Sequence, residues 1–261
     1  MTTRIIAALI AVPVVILPVY LGGLWCTFLF LAVALAAGYE FYHLLEAGGY
    51  RPIRMVGLLW LVPLVLSGWR PDIFPLSAVL VIGLIVTLTA TLPRPEDPIG
   101  VWMSTTAVAL YLGVVASQTL ALRQLPLGLW WLLFGLVVTW SNDAAAYFTG
   151  VTLGRHKLWP RISPKKTWEG TIGGWIAATL AAVIVVWWSP LEAPLWIAAL
   201  VGVACGVLGL LGDLSISMLK RQAGLKDSGH FLPGHGGILD RLDSLLFVLP
   251  FVATLVLMQF V

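Results

Sequence analysis

The chain has 261 residues, 60% of them hydrophobic and only 10% Asp, Glu, Lys or Arg, with a formal net charge of +3. A soluble globular domain carries roughly 25% charged residues, so a water-soluble protein is excluded. Apolar runs recur from end to end with 26 Gly and 13 Trp spread among them, which excludes low complexity, disorder and a collagen-like repeat.

At roughly 20 residues per bilayer span, this length accommodates up to about nine helices. Long apolar runs suit helices rather than a barrel. Polar and Pro/Gly-rich breaks place spans near 4–21, 24–45, 55–68, 73–92, 99–122, 128–149, 171–188, 194–212 and 244–261. The expectation is an all-α, polytopic integral membrane protein with about nine transmembrane helices. The segment 55–68 is short and contains Pro63, so eight spans with one re-entrant piece is the alternative. The first run, with its single Arg4, superficially resembles a signal peptide, but Leu21-Gly22-Gly23-Leu24-Trp25 offers no small-residue cleavage site. It reads as a permanent span.

Alternating loops put Arg4, Arg51, Arg54, Arg94 and every Lys or Arg of 155–166 and 220–241 on one side, against Arg70 and Arg123 on the other. Cytoplasmic loops carry the Lys/Arg excess. The polar stretches of the C-terminal half therefore face the cytoplasm, the C-terminus lies outside, and the expected location is the cytoplasmic (inner) membrane. The chain divides into N-terminal transmembrane helices (1–127) and a C-terminal transmembrane catalytic region (128–261). Cys26 and Cys205 sit in apolar runs, away from any Cys/His cluster, and read as small buried hydrophobes.

Three stretches carry candidate chemistry. The first is Trp140-Ser141-Asn142-Asp143-Ala144-Ala145-Ala146-Tyr147. An ionisable residue in a span is costly and marks a functional candidate. Asp143 and Tyr147 share a helix face, with Asn142 beside them. A cap at the membrane interface is the plainer alternative for Asp143.

The second stretch gathers Arg155, His156, Lys157, Arg161, Lys165 and Lys166 before Thr167-Trp168-Glu169-Gly170 leads into the next apolar run. Cations, hydroxyls and a coming helix N-terminus suit phosphate groups, polyphosphate first among them. A basic loop that only sets topology or touches anionic headgroups would look the same.

The third stretch runs from Gly212 to Asp227 and on through Pro233-Gly234-His235-Gly236-Gly237 to Asp240, Arg241 and Asp243. On a helix, Asp213, Ser217 and Lys220/Arg221 line one face. The glycine-rich run lets backbone pass close to a ligand, and Asp240 and Asp243 re-enter a helix one turn apart. Carboxylates interleaved with Lys and Arg suit a magnesium-nucleotide site, in which hard oxygens hold Mg²⁺ and cations neutralise phosphate. No Cys/His ligand set, Gly-x-Ser-x-Gly elbow or Walker-type loop is present. His235 reads either as a phosphate donor or proton shuttle, or as a packed loop residue.

The run Ser217-x-Leu219-Lys220-Arg221, then Lys226-Asp227, Pro233-Gly234-His235-Gly236-Gly237, Asp240-Arg241 and Asp243 resembles the signature of the phosphatidate cytidylyltransferases, also called CDP-diacylglycerol synthases. Asn142-Asp143, the Ser163-to-Gly170 block and Gly212-Asp213 are similar to other polar blocks of that family. The resemblance covers roughly the C-terminal half.

It implies a membrane enzyme that joins CTP and phosphatidic acid, giving CDP-diacylglycerol and pyrophosphate by in-line attack of the lipid phosphate on the α-phosphorus. Asp213 and Asp240 would hold one or two Mg²⁺ ions, with Mn²⁺ as a substitute and Asp143 completing the set. Lys220 and Arg221 would act beside them. Lys165, Lys166, Lys226, Arg241, Asn142, His235 and Ser217 would bind the triphosphate and the phosphatidate headgroup. Membrane lipids are expected partners and nucleic acid is not. The Gly202-to-Gly206 run permits close helix packing within one chain or between two, so a homodimer is a further expectation. A cation-coupled transporter is the rival from another class, but the N-terminal half holds no matching pair of motifs.

Overall fold

The computed structural model describes residues 13–94, 96–229 and 236–258. Arg4 and the Pro233-Gly234-His235 part of the signature lie outside the described residues. In chain order the elements are α1, described over 13–21, α2 (Gly23–Ala47), α3 (Arg54–Ser67), α4 (Leu76–Thr89), α5 (Pro98–Gln124), α6 (Gly128–Thr152), β1 (Lys157–Trp159), β2 (Ser163–Thr167), α7 (Trp168–Trp188), α8 (Leu195–Gln222), α9 (Leu239–Leu242) and α10 (Leu245–Leu257).

Among the described residues, four helices are long and apolar enough to cross a membrane: α2, α5, α7 and α8. Helices α3 and α4 have 14 residues each and reach about 21 Å, short of the roughly 30 Å hydrocarbon core. The 25-residue α6 is long enough, but Ser141, Asn142 and Asp143 dilute its apolar character. The mostly helical, membrane-type architecture agrees with the expectation. One difference is the β1–β2 hairpin, an antiparallel pair with Lys157 opposite Thr167 and Trp159 opposite Ser163, in a stretch expected to be loop.

The chain clusters into two compact units. One is the chain up to Gln124 with Gln222–Asp240; the other is Leu125–Arg221 with the chain from Arg241 onward. In the first unit α2, α3 and α5 pack on one another and α4 packs on α3 and α5. Its core holds Tyr42, Leu44, Leu61, Leu64, Val65, Leu112 and Leu120, all essentially excluded from solvent. Two polar groups inside it are satisfied by backbone, as burial requires. Tyr42 donates its hydroxyl to the Thr105 carbonyl at 2.6 Å and Trp60 Nε1 donates to the Val79 carbonyl at 2.9 Å.

In the second unit α6 pairs closely with α7, and α10 packs on α6. The sequence of α7 explains the fit. Residues Gly170, Gly174, Ala178, Ala182 and Val186, each four apart, are buried, while Ile172, Ile176, Leu180, Ile184 and Trp188 are exposed. Small side chains let neighbouring helix backbones approach, and the bulky stripe suits lipid. Trp188 meets Trp130 edge-on at 6.2 Å, in keeping with an interfacial aromatic belt. Cys26 and Cys205 are both buried free thiols, as expected.

Candidate active site

Helix α8 has 28 residues and spans about 42 Å, so it outruns the hydrocarbon core and carries its polar tail beyond it. On that tail Asp213 and Ser217 are one turn apart, and Ser217 Oγ donates to Asp213 Oδ1 at 3.0 Å. Lys220, one further turn along, is only 7% exposed. Arg221 turns toward the hairpin, where its Nε donates to the Ile162 carbonyl at 3.3 Å.

The hairpin supplies the next group. Along a strand, side chains alternate between faces, and here Lys165 is exposed whereas Lys166 is half-buried. Lys166 Nζ lies 2.5 Å from Asp213 Oδ2. The hairpin is held where it enters α7. Thr167 caps the helix, its Oγ1 accepting from the Gly170 amide at 3.2 Å. Glu169 reaches back to accept from the Arg155 amide at 3.0 Å and pairs with His156 Nδ1 at 2.6 Å.

Asp143 projects from α6. Its Oδ1 accepts from Asn142 Nδ2 at 3.2 Å and lies 3.5 Å from Ser244 Oγ. Asp243, between α9 and α10, accepts the Ser244 amide on Oδ1 at 2.8 Å. Gly212 makes this convergence possible, since a Cβ there would collide with the Asp243 carbonyl. Withdrawal from water pushes the Asp243 carboxyl up to about 7, and the carboxylates of Asp213 and Asp143 push the same way. The Ser244 amide and the Lys220 ammonium oppose the rise.

Asn142, Asp143, Lys166, Asp213, Ser217 and Lys220 thus meet in one unit, joined by Asp243 and Ser244. Arg221 reaches the hairpin, Lys165 is on its outer face, and Arg241 is exposed on α9. Asp240 and Lys226 belong to the other unit. There Lys226 is exposed, and Asp240 Oδ2 accepts the amides of Ser228 at 2.9 Å and Gly237 at 3.0 Å. Gly236, at φ 79°, takes a backbone turn that L side chains rarely adopt. His235 is outside the described residues.

Among the described residues, no group of three or more His, Cys, Asp and Glu is placed to hold a metal ion by itself. Mg²⁺ does not need such a cage: it keeps several waters and binds through one or two carboxylates plus substrate phosphates. Three mutually repelling carboxylates, Asp143, Asp213 and Asp243, offer only hard oxygen donors. That donor set fits Mg²⁺.

Asp243 closes the signature, but neither it nor its neighbour Ser244 carries a role in the sequence reading of the site. Glu169 and Glu40 also went unassigned. Glu40 lies at the polar end of an apolar run, beside His43 and Glu46, where an acid reads as an ordinary interfacial residue.

A site at the polar end of a long apolar helix that sets acidic and basic side chains against each other suits phosphate chemistry. The model of the cytidylyltransferase family matches residues 2–259. The chain is 36% identical over 261 residues to a phosphatidate cytidylyltransferase of Bacillus subtilis (strain 168), covering 97% of this chain and 96% of the relative. It is 37% identical over 246 residues to one of Brucella suis biovar 1 (strain 1330), covering 93% and 88%. To one of Staphylococcus haemolyticus (strain JCSC1435) it is 45% identical over 130 residues, half of each chain. The chain belongs to the cytidylyltransferase family.

Proposed function

We propose that this chain is a phosphatidate cytidylyltransferase that converts CTP and phosphatidic acid to CDP-diacylglycerol and pyrophosphate. The observation that carries the reading is the convergence of Asp143, Asp213 and Asp243 with Lys166 and Lys220 at the polar end of a membrane helix. The relatives of that name, 36% and 37% identical over nearly the whole chain, support it.

A phosphate oxygen of phosphatidic acid attacks the α-phosphorus of CTP in line, and the bond to the β-phosphate oxygen breaks as pyrophosphate leaves. No protein nucleophile is required, so the protein contributes position and charge. Lys166 and Lys220 neutralise the triphosphate, and Arg221, Arg241, Lys165 and Lys226 serve the remaining phosphates and the lipid headgroup. Ser217 and Asn142 orient Asp213 and Asp143, and His235 serves as a hydrogen-bond donor to phosphate. When bound, Mg²⁺, with Mn²⁺ as a substitute, supplies charge neutralisation at the phosphate oxygens. Asp213, Asp143 and Asp243 are the residues that would hold it. Asp240 joins them on the resemblance alone, because its Oδ2 is committed to two loop amides.

The finer topology belongs to the same proposal: nine spans, the site at the cytoplasmic face of the inner membrane, and two chains associating through small-residue helix faces. Purified protein supplied with CTP, phosphatidic acid and Mg²⁺ releases pyrophosphate and CDP-diacylglycerol only in the complete mixture. Nucleotide turnover with another lipid alone would refute the substrate, and inertness in a folded, lipid-supplied sample would refute the reaction.

A further inference from the structure

Helix α2 is apolar along nearly its whole length, and a carboxylate inside such a helix is expensive unless it is hydrogen-bonded. Glu40 lies two turns from its end and is 5% exposed. Its carboxylate is engaged on both oxygens by one distant segment. Oε1 accepts the Ile238 amide at 3.0 Å, and Oε2 accepts the Leu239 amide at 2.9 Å and the Ser228 hydroxyl at 3.0 Å. The partners are 188 to 199 residues away in sequence.

The same segment is shaped around this side chain. A Cβ on Gly229 or Gly237 would collide with the Glu40 carboxylate. Asp240 supplies the complementary half of the clasp, its Oδ2 taking the amides of Ser228 and Gly237. Ser228 therefore gives its hydroxyl to Glu40 and its amide to Asp240, and consecutive amides at 237, 238 and 239 divide between the two acids. The orientation of Asp240 is tied through this backbone to Glu40.

We propose that Glu40 is a positioning residue for the cytidylyl transfer: it clamps Ser228 to the backbone of Ile238 and Leu239 and so sets the carboxylate of Asp240. This rests on the function proposed above. The clamp uses two acceptor oxygens, which a carboxylate provides and a carboxamide does not. In Glu40→Gln one oxygen becomes an NH₂ donor facing N–H or O–H donors, while size and shape are unchanged. The variant therefore tests hydrogen bonding rather than packing.

The experiment compares wild type, Glu40→Gln and Glu40→Asp as full chains in lipid nanodiscs. The readouts are CDP-diacylglycerol formation, thermal stability and hydrogen exchange of the peptide covering 236–241. For Glu40→Gln we expect kcat to fall at least ~10-fold with KM for CTP within ~3-fold, because Lys166 and Lys220 are on other elements. Exchange at Ile238 and Leu239 rises while α2 to α5 stay protected, and Glu40→Asp, which keeps both acceptors, recovers part of kcat. Wild-type kcat and exchange in Glu40→Gln would overturn the proposal. So would a loss of activity matched by loss of thermal stability and raised exchange along the whole chain. An inert wild-type protein would overturn the reaction instead. The exchange then decides the clamp on its own, and unchanged protection at Ile238 and Leu239 overturns it.

Discussion

Asp213→Asn changes one charge and almost nothing else, which makes it the sharpest perturbation of the site. Asp213 holds Lys166 and Ser217 and repels Asp143 and Asp243. The Lys166 and Asp213 side chains are 24% and 31% exposed, so the pair is screened by solvent and its loss costs folding about 1 kcal/mol at most. Relief of the repulsion toward the other two carboxylates offsets part of that. A group that stabilises charge developing in the transition state is worth about 2.7–4 kcal/mol, a factor of roughly 10²–10³ in kcat. The expected variant therefore loses kcat by about 100-fold or more while its Tm moves by only a few degrees. Relieved of one neighbouring charge, Asp243 also titrates lower than in the wild type. The assay is CDP-diacylglycerol formation at saturating CTP and phosphatidic acid with Mg²⁺ varied, beside a thermal melt. A kcat within about 10-fold of wild type, in a protein of unchanged stability, would remove Asp213 from the metal role.

The strand alternation separates two adjacent lysines: Lys166→Met is expected to lower kcat at least ~30-fold, whereas Lys165→Met chiefly raises KM for CTP, as steady-state kinetics would show. With divalent ions chelated, the folded protein keeps the Asp243 proton up to about pH 7, whereas the unfolded chain loses it near about pH 4. The folded state holds more protons in that window, so stability falls as pH rises from about 4 to 7 and then levels. Melting temperatures across this range check it: Asp243→Asn flattens the fall, and a rise in the wild type would refute the burial argument. Gly212→Val drives a side chain into the Asp243 carbonyl, and a loss of about 1–3 kcal/mol together with activity is expected, measured by denaturation and turnover.

What the sequence made legible follows from how far each signal extends. Apolar runs located the helices well, because lipid exposure leaves a local hydropathy mark. They marked 55–68 as short, in agreement with the 14-residue α3, but drew a span over 73–92 where α4 has only 14 residues, because its polar ends are too weak to show as breaks. The register of Asp213, Ser217 and Lys220 was readable because one helix carries all three. The hairpin was not, since Pro164, Lys165 and Lys166 are residue types depleted in strands and only Thr167 favours one. Its conformation is supported instead by Glu169 and the Thr167 cap at the start of α7. Glu40 was hidden for a related reason: its meaning lies in donors almost 200 residues away, and no local pattern announces a clasp between distant segments.

The carboxylates of the site engage both of its lysines. Lys166 is tied to Asp213, and Lys220 is drawn to Asp243. A triphosphate must compete with those carboxylates for both ammonium groups. In the absence of divalent ions, Asp213→Asn should therefore bind CTP more tightly than wild type, even though it turns over more slowly. Releasing an ion pair worth about 1 kcal/mol corresponds to about a 5-fold gain in affinity. Opposite movement of ground-state binding and kcat is the mark of a group whose interaction is spent in the transition state rather than on holding substrate. Equilibrium binding of CTP in chelator decides the matter. Weaker binding in the variant would mean that Asp213 serves to aim Lys166 at the triphosphate, and the carboxylate would then be an orienting partner of the lysine instead of a metal ligand.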